Sequence, residues 1–232
     1  MSLVVSLRSA VCLLGRFPAL AGVDLDVATG EVVLVSGANG AGKTTLLRLL
    51  AGLVPLRAGT ATVLGHDLAA DPRTHRRDLA LVGPETFCYD DLTVAENLAF
   101  AARAAGHPPA PTDLLEELDL ARLALVAHRD LSTGQRRRLS LAIALAREPR
   151  LLLLDEPHAG LDVVGRAVLD TALADARDDG RAVLLASHEL DQGRAVASRE
   201  VELVAGRAVG GRREEAPTVL PAPENASKGS PR

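Results

Sequence analysis

The segment GANGAGKT, residues 37–44, constrains this chain more than any other. It satisfies the pattern G-x-x-x-x-G-K-[ST]. It lies between a β-branched apolar run at 32–36 and a segment from Lys43 in which Leu46, Leu47, Leu49 and Leu50 follow helical spacing. A strand that turns through glycines into a helix opens a strand–helix–strand unit, and repeated units of that kind build a parallel sheet covered by helices. The residue types also dictate what the loop can hold. Gly37, Gly40 and Gly42, with Ala38, Asn39 and Ala41 between them, let the backbone curl until its N–H groups converge on a polyphosphate. The following helix adds its positive N-terminal end. Lys43 offers a mobile cation to β- and γ-phosphates, the Thr44 hydroxyl suits Mg²⁺, and Thr45 extends the nucleotide-binding run. The competing reading is a glycine-rich turn ahead of a core helix; the complete pattern and its flanks weigh against it.

The rest of the chain alternates in the same way. Residues 3–14 read as extended, with a turn near 15–18, and strands are expected at 23–27, 61–63 and 79–82. Ala/Leu-rich helices are expected at 95–105 and 114–118, separated by the breaker HPPAP at 107–111, with a further helix at 133–146. Buried strands at 151–154 and 182–186 flank a helix at 164–177. These elements predict an α/β fold: a P-loop NTPase core with a mostly parallel sheet, an N-terminal antiparallel β region and a helical subdomain at about 88–147. The folded domain is expected over 1–210. Residues 211–232, rich in Pro, Glu, Ser and Gly, are expected to form a disordered tail.

Composition excludes some functions. Aromatics make up only 2% of the chain, so Ala, Leu and Val must build the core. A formal charge of −4 argues against sequence-independent nucleic-acid binding, which needs a basic face to replace counterions. Cys12 and Cys88 lack ligand-like spacing and read as two inert thiols of a reducing compartment. No apolar run reaches the roughly 18–20 residues a membrane span needs, and no signal-peptide pattern opens the sequence. Any membrane association is therefore expected to come through a partner.

Two further motifs carry chemistry. LLLLDEP, residues 151–157, puts Asp155 and Glu156 at the carboxyl end of a core strand, where ligands gather in open α/β sheets. Asp155 suits Mg²⁺, and Glu156 suits activation of an attacking water as general base. Helix-capping or surface carboxylates are the alternative, weakened by a phosphate loop that needs a metal ligand and a base from elsewhere. LSTGQ, residues 131–135, opens a helix: Ser132 is a good N-cap, and backbone N–H groups around Gly134 face forward toward an anion. Alone it is a weak signal, more often than not a plain capped turn.

The order of phosphate loop, LSTGQ, LLLLDEP, AGLD at 159–162 and a strand ending in Ser187–His188 resembles the ABC ATPase family across about residues 3–210. The resemblance implies ATP and Mg²⁺ as cofactors. It also implies a head-to-tail dimer, either a homodimer or a pseudo-symmetric pair, in which Ser132, Gly134 and Gln135 face the nucleotide held by the other subunit. By the same match Asp162 couples the two sites and His188 contacts the γ-phosphate beside Glu156. His66, His75, His107, His128 and His158 are assigned no chemistry, and Arg136–Arg138 reads as a solvated face beside the LSTGQ helix, with phosphate contact the lesser alternative. The chain would be peripheral on the cytoplasmic side of a membrane, bound to an integral membrane transporter subunit.

Three positions depart from the family pattern. Leu14 stands where an aromatic would stack on adenine, with Phe17 near enough to substitute. Glu85 or a neighbour takes the place of a Gln that touches Mg²⁺. It can ligate the ion but cannot donate a hydrogen bond. Thr133 replaces a second glycine. VLGHDL, DDLTVAENLAF, LDEPHAGLD and LLASHEL look most like the ATP-binding subunit of the heme exporter of cytochrome c maturation. The alternatives are the ATPase of an ABC-2-type drug or polysaccharide exporter, and a soluble ABC ATPase without a transport role.

Overall fold

The computed structural model describes residues 2–84, 87–106 and 113–212. Two sheets organise them. Strands β1 (Leu3–Leu14) and β2 (Phe17–Ala28) form a long hairpin, and β4 (Ala58–Val63) and β5 (His66–Asp67) extend it into an antiparallel sheet of order β2-β1-β4-β5. The second sheet is built on β3 (Val32–Ser36). It includes β6 (Leu79–Val82), β7 (Leu151–Asp155), β8 (Ala182–Ala186), β9 (Arg199–Val204) and β10 (Arg207–Val209), in the order β10-β9-β3-β8-β7-β6. All its pairings are parallel except β10 with β9.

Burial explains why the central strands carry unbroken apolar runs. In β3, Val33 and Val35 enter one core with the antiparallel sheet, while Val32 and Leu34 enter a second core on the opposite face. Strand β7 divides likewise, Leu151 and Leu153 against Leu152 and Leu154. A parallel strand covered on both faces has no solvent side to alternate with. The first core also takes α1 (Lys43–Leu50) through Leu46, Leu47, Leu49 and Leu50. The second takes α2 (Val94–Ala104), α3 (Asp113–Glu117), α4 (Thr133–Leu145) and α5 (Val163–Asp178), and a short α6 (Leu190–Val196) packs on β3.

The helices expected between β6 and β7 are present as α2, α3 and α4. Each of the better-defined starts has a chemical cause. Thr93 and Glu96 form a capping box at α2, Ser132 and Gln135 form one at α4, and the Asp162 carboxylate accepts the Gly165 N–H at α5. Strand β2 is longer than the expected 23–27, because Pro18 and Gly22 are tolerated on a terminal strand of the antiparallel sheet. The breaker at 107–111 and residues 213–232 of the expected tail lie outside the described residues. Gly211 is tied to the fold: its carbonyl accepts the Asp26 N–H at 2.8 Å.

Candidate nucleotide-binding site

Strands β3, β8 and β7 lie side by side in parallel, so their carboxyl ends open on one edge of the sheet. That edge gathers the phosphate loop after β3, Asp155 and Glu156 at the end of β7, and Ser187 and His188 after β8. The loop's curl is possible only with glycine at its ends. Gly37 has φ 138°, and a Cβ there would sit 2.4 Å from the Leu203 carbonyl oxygen. Gly42 has φ 111°, and its Cβ would sit 2.6 Å from the Ala19 oxygen. The Ala41 N–H donates to Ala38 O at 3.1 Å, and Ala41 O accepts the Gly206 N–H, also at 3.1 Å.

The buried Lys43 Nζ donates to the Gly37 and Ala38 carbonyls at 2.7 and 3.3 Å. The Thr44 hydroxyl donates to Asp155 Oδ2 at 2.8 Å, joining the two residues proposed to hold a cation. A cavity of about 370 Å³ opens above them. Asn39, Gly40, Gly42, Lys43, Thr44, Thr45, Asp155 and Glu156 line it, with Leu14, Ala19 and Pro84 at its rim.

Glu156 has φ 51°, in the left-handed region that a non-glycine residue seldom enters. Its N–H donates to Ala186 O at 2.8 Å, and the turn folds its carboxylate back over the end of β8. There Oε2 accepts from Ser187 Oγ at 3.3 Å and the His188 N–H at 3.2 Å, and stands 2.8 Å from His188 Nδ1. A carboxylate beside an imidazole, next to the hydrogen-bonded Thr44 and Asp155, can orient and deprotonate a water. The buried Ser187, legible in the sequence only as a strand end, is a third member of this cluster.

Ser132, Gly134, Gln135 and Asp162 are not among the described residues lining this cavity. Gln135 Oε1 accepts the Ser132 N–H at 2.8 Å, and Asp162 Oδ1 accepts the Gly165 N–H at 2.8 Å. They occupy a second surface where α4 and α5 begin: a Cβ on Gly134 would lie 3.6 Å from Gly160 O. At the rim, Leu14 is 54% exposed and Phe17 is 80% exposed, outside the lining. Glu85 lies outside the described residues.

The reading of Arg136–Arg138 as a solvated face is corrected, because each guanidinium reaches a carbonyl on a neighbouring segment. Arg136 donates to Arg129 O at 2.6 Å, Arg137 to Ala159 O at 2.9 Å, and Arg138 to Leu118 O at 3.2 Å as well as to the Asp119 carboxylate. The buried histidines have local partners: His75 with Leu50 O, His128 with Asp90, and His158 with Asp170. Cys12 is buried, which pushes its thiol up to about 11. The Cys88 thiol is also raised, chiefly by burial.

The ABC transporter family profile matches residues 20–159. The chain belongs to the ABC transporter family. It is therefore an ATP-binding cassette and an ATPase of the ABC type. It is 42% identical over 190 residues to the cytochrome c biogenesis ATP-binding export protein CcmA of Bordetella bronchiseptica, covering 79% of this chain and 83% of that one. An ABC transporter ATP-binding relative from Streptomyces avermitilis is 43% identical over 184 residues, 76% of this chain, of which the chain spans only 32% of the length. Among solved structures, the dimeric structure of a bacterial ABC transporter cassette superposes with a TM-score of 0.78 at 26% identity, covering 88% of this chain and 96% of that one. No helix among the described residues is long and apolar enough to cross a membrane.

Proposed function

We propose that this ABC cassette is the ATP-hydrolysing subunit of a heme exporter of cytochrome c maturation, working as a head-to-tail dimer beneath a separate membrane protein. One observation carries the exporter assignment: the similarity to CcmA spans most of both chains, whereas that to the Streptomyces relative spans a third of its length.

The residues support a definite division of labour. Backbone N–H groups of 37–44 and Lys43 bind the polyphosphate, Lys43 exchanging its two loop carbonyls for phosphate oxygens. Thr44 and Asp155 offer Mg²⁺ hard oxygen donors already 2.8 Å apart. When bound, the ion neutralises charge on the β- and γ-oxygens. Glu156 would orient and deprotonate the attacking water, and His188, 2.8 Å from that carboxylate, would hold it and meet the γ-phosphate. Positioning and electrostatics supply most of the acceleration in phosphoryl transfer. Ser132, Gly134, Gln135 and Asp162 sit away from their own subunit's cavity, which supports their acting on a nucleotide held by a second copy.

A largely apolar groove beside the site supports a membrane partner. Leu53 (56% exposed) and Phe87 (84%) line a cavity of about 360 Å³ with Val54, Leu81 and Pro84, and Tyr89 stacks edge-on against Phe100 at 5.1 Å on the adjoining helical region. An aromatic patch of this kind marks an interaction surface. Through it the chain would sit on the cytoplasmic side of the membrane.

Two measurements test the proposal. Purified Glu156→Gln should retain ATP and accumulate closed dimer on gel filtration while losing hydrolysis; turnover at the wild-type rate would remove Glu156 as the base. Purification from detergent should bring down a multi-span membrane protein together with heme. A membrane partner without heme would redirect the assignment to another exporter.

A further inference from the structure

The turn at 158–161 joins the acidic pair to α5 and is gripped from two sides by arginines. From α4, the half-buried Arg137 donates Nη1 to Ala159 O at 2.9 Å and brings Nη2 to 3.5 Å from Asp155 O. Burial lowers the Arg137 pKa, while attraction to Glu156 and Asp155 opposes that shift. From α5, Arg166 donates Nε to Leu161 O at 3.2 Å and sets Nη2 3.2 Å from Glu189 Oε2. Glu189 directly follows His188, whose Nδ1 meets Glu156. Between these two arms the turn closes on itself, Leu161 N–H to His158 O at 3.1 Å, and the buried His158 ring bonds Asp170 of α5 at 2.9 Å.

The consequence is geometric. Arg137 stands two residues after Gln135 on the helix that LSTGQ opens, and its acceptors lie on the segment that carries Asp155 and Glu156. Arg166 spans from the same turn to the residue beside His188. We propose that Arg137 and Arg166 are positioning residues that clamp the 158–161 turn. They fix the LSTGQ helix, the Glu156 carboxylate and His188 in one register, so that a displacement of α4 is transmitted to the hydrolytic pair. Neither arginine touches the nucleotide cavity. The inference rests on the ATP-hydrolysis reading of that cavity and adds a coupling element to it. Guanidinium groups suit the task because one planar group reaches two separate oxygens: Arg137 two carbonyls, and Arg166 one carbonyl by a hydrogen bond and the Glu189 carboxylate through charge.

The test uses the full chain. Arg137→Gln and Arg166→Gln should each lower kcat for ATP by on the order of tenfold, the size of one lost charge-assisted hydrogen bond. KM for ATP and the stoichiometry of bound fluorescent ATP analogue should stay within twofold of wild type. Amide hydrogen exchange at Ala159 and Leu161 should accelerate by a similar factor, while the exchange of β3 stays unchanged. Arg137→Lys, which keeps a cation within reach of Ala159 O, should fall between wild type and Arg137→Gln. If Arg137→Gln folds poorly, Arg166→Gln on the other arm must show the same kcat and exchange pattern. Lys43→Ala is the control that separates the two layers. If Lys43→Ala abolishes hydrolysis while the arginine variants keep wild-type kcat and exchange, the clamp is refuted. If Lys43→Ala also hydrolyses ATP normally, the site reading falls and the clamp falls with it.

Discussion

Glu156 is required by the proposed chemistry and disfavoured by its own backbone, and the two effects can be measured separately. Its φ of 51° puts an L-residue in the left-handed region. The left-handed conformation costs an L-residue about 1–2 kcal/mol through the approach of Cβ to the following carbonyl oxygen. Replacing Glu156 with Ala or with Gly removes the same three contacts, those to Ser187 Oγ, the His188 N–H and His188 Nδ1. Comparing the two variants therefore cancels the side chain and leaves the backbone. At an ordinary helical or extended position Gly is the less stable by about 0.5–1 kcal/mol, through its larger unfolded-state entropy. Here relief of the left-handed strain outweighs that term, so Glu156→Gly should be more stable than Glu156→Ala by about 0.5–1 kcal/mol. In a chain of this size that corresponds to a difference in Tm of about 1–4 °C. Urea unfolding with equal m-values for the two variants gives the number directly. Both should lack hydrolysis. If Glu156→Ala is as stable as Glu156→Gly or more so, the turn carries no strain, and the account of how the carboxylate is aimed over β8 is wrong.

Three other outcomes are expected. Lys43→Ala should weaken binding of a fluorescent ATP analogue by on the order of 30-fold, the loss of one strong charge-assisted contact to phosphate; undiminished affinity would count against the loop reading. Mixing Ser132→Arg chains with Lys43→Ala chains should leave at most one competent site per mixed dimer, so full activity in the mixture would rule out a site shared between copies. Buried Cys12 should resist a thiol-specific reagent at pH 8. An unfolded thiol ionises at about 8.5, whereas Cys12 in the fold is pushed up to about 11. Its contribution to stability is therefore complete below the first value and lost as pH rises through the second. The urea midpoint should fall between pH 8 and 11, and Cys12→Ala should remove that share of the slope; an unchanged slope would refute it.

What was legible in the sequence and what was not divides along one physical line, the distance in sequence between a residue and the groups that decide its conformation. The phosphate loop is local: its glycines, the strand before it and the helix after it occupy adjacent positions, and the structure starts α1 at Lys43. Strands β3 and β8 were equally readable, since burial on both faces demands a continuous apolar run. Strand β9 was not. Arg199, Glu200 and Glu202 make its segment look like a charged surface, and it is a strand only because it pairs in parallel with β3, more than 160 residues earlier. Arg136–Arg138 failed for the same reason. A run of arginines carries no local sign of its acceptors, and Ala159 O, 22 positions beyond Arg137, becomes its partner only after β7 has set the 158–161 turn beside the start of α4. The stretch expected to meet adenine repeats the pattern at short range: Phe17 is close to Leu14 in sequence, yet the hairpin leaves Phe17 facing solvent and puts Leu14 on the cavity rim. Motifs that contain their own partners thus announce their local structure directly, whereas a charged side chain whose partners are brought by the fold reads as surface until the fold is known. Arg137 and Arg166 both belong to that second class.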